Sequence, residues 1–203
     1  MTFSQLYEAV RAELGEKRFS HTIGVINAAR LLGEKCLPEK VEELACAALL
    51  HDVTKELSDE EQATLLKDEW CTLSPDEKES PQIFHSYTAP YVIRARFPEY
   101  ATEEILSAVR KHTVGDEEMT VFDMIIFIAD YIEDGRTYSE CVEVREYLYS
   151  ALGDDLPSNV LSLMRACVMA IDNTVASLNK RGKMVAKKTE LVKAALLNKI
   201  KQQ

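Results

Sequence analysis

Residues 38–55 read PEKVEELACAALLHDVTK. Ala45, Ala48, Leu49 and Asp52 project onto one side at about 100° per residue, the stripe of an amphipathic helix and not the alternation of a strand. Pro38 suits the first turn, because its missing N–H is one that no helical carbonyl could have accepted there. The predicted element therefore runs over 38–51, and it delivers a histidine and an aspartate to its end.

The same three- and four-residue spacing continues in both directions. Upstream, Leu6, Val10 and Leu14 predict a first helix closed by Gly15, and a second helix spans 18–33. Downstream, Ser58 with Glu61 three residues later forms a capping box that opens a short fourth helix. Further helices are predicted over 85–97, 102–112, 120–133, 139–152, 158–180 and 189–201, about ten in all. The stretch CTLSPDEKESP at 71–81 lacks a period and gathers proline and charge, so it is assigned as the long loop. Seven glycines and six prolines in 203 residues are few for a protein of many short strands. The fold class is all-α, a helical bundle with additional C-terminal helices. Residues 1–178 form the core, and 179–203 a basic linker (NKRGKMVAKK, 179–188) and a last amphipathic helix.

Lys and Arg number 24 against 34 Asp and Glu, a formal charge of −10. That excess repels nucleic-acid backbones and anionic lipid, so neither is an expected partner, and an anionic substrate must be met by locally concentrated positive charge. Five cysteines, odd in number and never in a CxxC pair, support neither a disulfide framework nor a structural zinc site. The N-terminus has no basic region followed by an apolar one, and the longest strongly apolar stretch, 124–129, falls far short of the roughly 20 residues that cross a bilayer. A cytoplasmic protein is expected, with a homodimer left open.

All four histidines face inward. His21 aligns with Val25, Ala28 and Leu32; His85 with Ala89, Val92 and Ile93; His112 with Ile105, Ala108 and Val109. His51 adjoins Asp52 at the inner edge of its stripe, and Asp130 continues Phe122, Ile126 and Ala129 directly after MIIFIA. A lone inward histidine is usually a core residue bonded to a carbonyl. A carboxylate among isoleucines costs several kcal/mol unless it is paired or binds a cation. With two such aspartates, no Arg or Lys that stands out as their internal partner, and every histidine inward, one shared metal centre is the simpler account. Nitrogen and carboxylate ligands without thiolates suit iron, manganese, cobalt or zinc.

The order H…HD…D, here His21, His51-Asp52 and Asp130, resembles the HD-domain metal-dependent phosphohydrolases. HSYTAP around His85, RKHTVG around His112 and ADYIEDGR at 129–136 are similar to the YqeK-type HD proteins, with departures at Asp134, where proline is expected, and Thr54, where a small apolar residue is commoner. The resemblance covers 15–175. It implies symmetric hydrolysis of diadenosine tetraphosphate to two ADP, with His21, His51, Asp52 and Asp130 as metal ligands, iron the expected metal, and His85 and His112 at the phosphates. Asp52, His85 and His112 are the expected catalytic residues. Lys55 and Arg136 are natural fixed cations for the phosphates, and Thr113 and Gly115 would add hydroxyl and backbone donors. Two alternatives remain open: an HD enzyme acting on a guanosine polyphosphate, deoxynucleotide or cyclic dinucleotide, and a non-catalytic nucleotide-binding regulator.

Overall fold

The computed structural model describes every residue except Met184 and Gln203. Among the described residues there is no strand. The described residues form eleven α-helices: α1 (Phe3–Arg11), α2 (Glu16–Cys36), α3 (Val41–Leu50), α4 (Asp59–Leu65), α5 (Pro75–Lys78), α6 (Phe84–Arg96), α7 (Glu103–Lys111), α8 (Val121–Ile132), α9 (Ser139–Ala151), α10 (Leu156–Lys180) and α11 (Lys187–Lys201). The long α2 runs through the centre and packs against α3, α8 and α10, while α7 lies across α3, α6 and α8. Leu32, Leu44, Leu49, Ile125, Ile126 and Ile128 are wholly excluded from solvent in the core.

Where helix ends differ from the sequence reading, local chemistry explains it. Gly15 does not close α1, which stops at Arg11; it precedes α2, with its amide donating to Glu56 Oε2 at 2.6 Å. Pro38 opens a 3-10 turn, Pro38–Lys40, and the α-helix starts at Val41. The proposed loop at 71–81 contains the single-turn α5. Its capping box pairs Ser74 with Glu77 as the one at α4 pairs Ser58 with Glu61, but four residues are too few to show an apolar period. A small separate core of Leu66, Leu73, Phe84 and Tyr87 anchors this region.

The helix α10 corrects the expectation drawn from 124–129. By length and composition alone it could cross a membrane, with a mean hydropathy of 1.3. Val160, Leu163, Cys167, Ala170 and Ile171 bury one of its faces in the core instead. The basic segment 179–188 crosses Met184, which lies outside the described residues. Beyond it α11 packs on the body through the buried Val192 and Leu196, and Lys188 pairs with Asp116 at 2.9 Å.

Candidate metal centre and phosphate site

Helix ends build the site. The last carbonyls of a helix have no partner in the helix itself, and two of them are taken by histidines immediately beyond it. His51 Nδ1 donates to the Ala48 carbonyl at 2.6 Å at the end of α3, and His112 Nδ1 to the Val109 carbonyl at 2.7 Å at the end of α7. Each bond fixes the tautomer: the proton sits on Nδ1 and the Nε2 lone pair points into the cluster. Both rings are buried, with centroids 5.0 Å apart in a T-shaped contact. Burial holds the His51 pKa down to about 4, so this ring is neutral near pH 7.

From α2 comes His21, whose Nδ1 lies 3.1 Å from Glu133 Oε1 and whose Nε2 lies 3.0 Å from Asp130 Oδ1. Burial disfavours its charged form, but the two carboxylates outweigh it and raise its pKa. Asp130, at the end of α8, is held well below the usual carboxylate range: burial opposes this, and the His21 contact and Arg136 overcome it. Asp52 sits centrally, 3.5 Å from His51 Nε2, 3.9 Å from His21 Nε2 and 3.2 Å from His85 Nε2.

His51 Nε2 is the informative atom, because it is buried, carries no proton and has no hydrogen-bond donor. His21 Nε2 is likewise without a hydrogen bond. Nitrogen lone pairs facing carboxylate oxygens repel unless a cation or proton lies between them. One ligand atom each from His21, His51 and Asp130 lie within 4.8 Å of one another, as do one each from His51, Asp52 and His112. This donor set fits a divalent transition metal.

His112, a member of the second group, also pairs with His85, which belongs to neither. Lys55 Nζ lies 3.0 Å from His85 Nδ1 and donates there, which leaves the His85 proton on Nε2, 3.0 Å from His112 Nε2. Burial chiefly, and His112 next, push His85 well below its usual pKa. Thr54, one of the departures from the family pattern, fixes the start of α6 by donating to the His85 carbonyl at 3.0 Å. Asp134, the other, is an exposed residue 3.8 Å from Arg145.

Two residues of the site went unread in the sequence. Arg18 bonds Asp52 Oδ2 at 2.8 Å, so the expectation that no basic side chain neutralises the inward aspartates is corrected here. Arg136 does the same for Asp130, at 2.7 Å. Glu133 is buried and accepts from His21 and, at 2.6 Å, from the Gly135 amide. Each stands three residues from a site member, Arg18 before His21 and Glu133 after Asp130, and that helical spacing was the available signal.

Arg18, Asp52, Lys55, His85, His112, Thr113, Asp130 and Arg136 all border one cavity of about 360 Å³. Thr113 shares a hydrogen bond with Ser86 at 2.9 Å. Gly115 is not brought to this cavity. Its amide donates to the Lys111 carbonyl at 2.8 Å, its φ of +79° ends α7 in the left-handed region, and a Cβ there would lie 2.9 Å from Val192. It is a helix-terminating glycine against α11.

An all-helical bundle that gathers a histidine, a His-Asp pair and a distant aspartate at helix ends defines the HD class of proteins. The chain belongs to the HD-domain family, whose model matches residues 18–135. It is 29% identical to a Bacillus subtilis (strain 168) protein named symmetrical bis(5'-nucleosyl)-tetraphosphatase, over 91% of this chain and 92% of that one. A Staphylococcus aureus (strain NCTC 8325 / PS 47) protein of the same name is 25% identical, over 88% of this chain and 94% of its own length. The fold matches the crystal structure of a predicted HD superfamily hydrolase involved in NAD metabolism from Clostridium acetobutylicum, with a TM-score of 0.83, 25% identity and 98% of each chain covered.

Proposed function

We propose that the protein is a metal-dependent phosphoanhydride hydrolase that cleaves diadenosine tetraphosphate symmetrically into two ADP. The observation that carries this reading is the donorless Nε2 of His51, buried among His21, Asp52 and Asp130 beside a cavity that Arg18, Lys55 and Arg136 also line. The names of the relatives supply the substrate. His21, His51, Asp52 and Asp130 hold the ion, iron by family resemblance, with manganese or cobalt compatible with the same donors. When bound, such an ion lowers the pKa of a coordinated water towards neutrality and neutralises phosphoryl charge.

The remaining chemistry belongs to the side chains. Arg136 and Lys55 offer fixed positive charge to non-bridging oxygens, where a loose phosphoryl transition state spreads its charge. His85 presents an Nε2–H donor because Lys55 occupies its Nδ1, and that proton suits an oxygen of the leaving ADP. His112, its own Nδ1 locked by Val109, accepts from His85 until phosphate takes that bond. Glu133 keeps the His21 lone pair on Nε2. No member of the metal set is missing, which favours turnover over a purely regulatory role. Five unpaired cysteines, four of them buried, support a reducing, cytoplasmic setting.

The test is hydrolysis of a nucleotide panel by the metal-loaded protein with products resolved by chromatography. ADP as the sole nucleotide from diadenosine tetraphosphate is the expected result. ATP with AMP refutes central cleavage, and inertness towards this substrate alongside turnover of a guanosine polyphosphate, deoxynucleotide or cyclic dinucleotide assigns the site to another substrate.

A further inference from the structure

The catalytic groups are not the whole lining of the cavity. Phe127 and Tyr131 of α8, Ile83, Cys141 of α9 and Thr174 of α10 border it too, none of them charged and none used in the chemistry above. Phe127 and Tyr131 are four residues apart, so they share a side of α8, with Asp130 flanking it one turn on from Phe127. Phe127 is buried with the core residues Phe122, Ile125, Ile126 and Ala129 of the same helix, and Tyr131 packs against that core at its edge. Tyr131 is only partly buried, which leaves its ring at the cavity border.

We propose that this aromatic arm seats the base of one nucleotide by stacking on Tyr131, with Phe127 completing the apolar wall. The inference rests on the reading of the adjoining cluster as a phosphoanhydride hydrolase, and it names where the organic part of that substrate goes. A pocket that combines apolar and aromatic walls with convergent cations matches a nucleoside diphosphate, which is planar and uncharged at one end and anionic at the other. Tyr131 directly follows Asp130 in the chain, so a base on its ring keeps the attached phosphates beside the cluster. Stacking reads the flat face shared by all bases and is worth about tenfold or more in affinity for each base.

The test compares equilibrium binding of ADP and of ribose 5-diphosphate, which keeps the sugar and both phosphates but lacks the base, to the full chain. ADP is expected to bind at least tenfold more tightly. Tyr131→Leu is expected to reduce that advantage to less than threefold, while Tyr131→Phe keeps it, because the ring and not the hydroxyl does the binding. Unaltered helical circular dichroism shows that the Leu variant is folded; should it fail to fold, Phe127→Leu provides the second reading, with the advantage again reduced. Equal binding of the two ligands to the wild-type protein, or a full advantage in a folded Tyr131→Leu protein, overturns the seat. The two readings separate cleanly. A Tyr131-dependent ADP advantage without diadenosine tetraphosphate hydrolysis sinks the reaction and keeps the seat, while hydrolysis with no base-dependent binding does the reverse.

Discussion

Replacing Glu133 by Gln tests whether the metal centre is organised from behind. The wild-type carboxylate supplies two acceptors to two buried donors: Oε1 stands 3.1 Å from His21 Nδ1, and Oε2 accepts the Gly135 amide at 2.6 Å. The side chain has no room to turn away, since even a Cβ at Gly24 would lie 2.2 Å from Oε2. A carboxamide of the same shape offers one acceptor and one donor, so one of the two N–H groups must face an NH2. Leaving a buried donor unmatched costs roughly 1–3 kcal/mol, which at about 1.4 kcal/mol per decade is close to the 10- to 100-fold loss usual when a partner behind a metal ligand is removed. If the amide oxygen stays with Gly135, His21 is driven to the tautomer with its proton on Nε2 and loses the lone pair aimed at the ion.

The expected result for Glu133→Gln is therefore a metal affinity lowered by about 10- to 100-fold in chelator competition, with turnover recovering as metal is added in excess. Gly24→Ala should move both quantities in the same direction, because the new methyl displaces the same carboxylate. A folded Glu133→Gln protein with wild-type metal affinity and rate would refute the argument that this carboxylate sets the His21 tautomer.

Asp130→Asn keeps the shape of a ligand and removes its charge, so metal content and turnover should fall together by about 10-fold or more; elemental analysis and a rate on the same preparation decide it. His85→Ala and His112→Ala should retain metal while turnover drops by roughly 10²-fold, since these two rings satisfy each other and the donorless nitrogens are those of His21 and His51. Loss of metal in either variant transfers it to the ligand set. Gly115→Ala should cost about 1–3 kcal/mol in a urea titration, from its φ of +79° and the crowding at Val192, with the rate of the folded fraction unchanged. A slowed but fully stable variant would return Gly115 to the phosphates.

The helices were legible because this bundle is assembled from amphipathic elements long enough to show their period. The single-turn α5 was not, since a capping box without an apolar stripe carries no repeat. His21, Asp52 and Asp130 could be placed inward because each falls on a stripe of its own helix. Arg18 and Glu133 also enter the site from α2 and the end of α8, but they do so beside and behind those stripes, where a helical projection reads as boundary. Gly115 shows the opposite failure. A glycine in a motif next to a site histidine suggests a donor for phosphate, while its physical requirement here is a left-handed φ at the end of α7.

That boundary placement has a consequence for charge. Asp52, Asp130 and Glu133 are three buried or partly buried carboxylates, and Arg18, Lys55 and Arg136 are three cations on the same cavity or its wall. Without an ion the cluster is close to neutral, apart from any proton on His21, so charge alone does not demand a metal; the orphaned lone pair of the neutral His51 does. Adding a divalent ion then makes the cavity net positive in a protein whose formal charge is −10. Attraction of a polyphosphate becomes conditional on metal occupancy, and a metal-free chain should lose substrate binding as well as turnover. Equilibrium dialysis of a non-hydrolysable tetraphosphate analogue against metal-free and metal-loaded protein measures this directly. Equal binding to both forms would mean that Arg18, Lys55 and Arg136 capture the phosphates unaided.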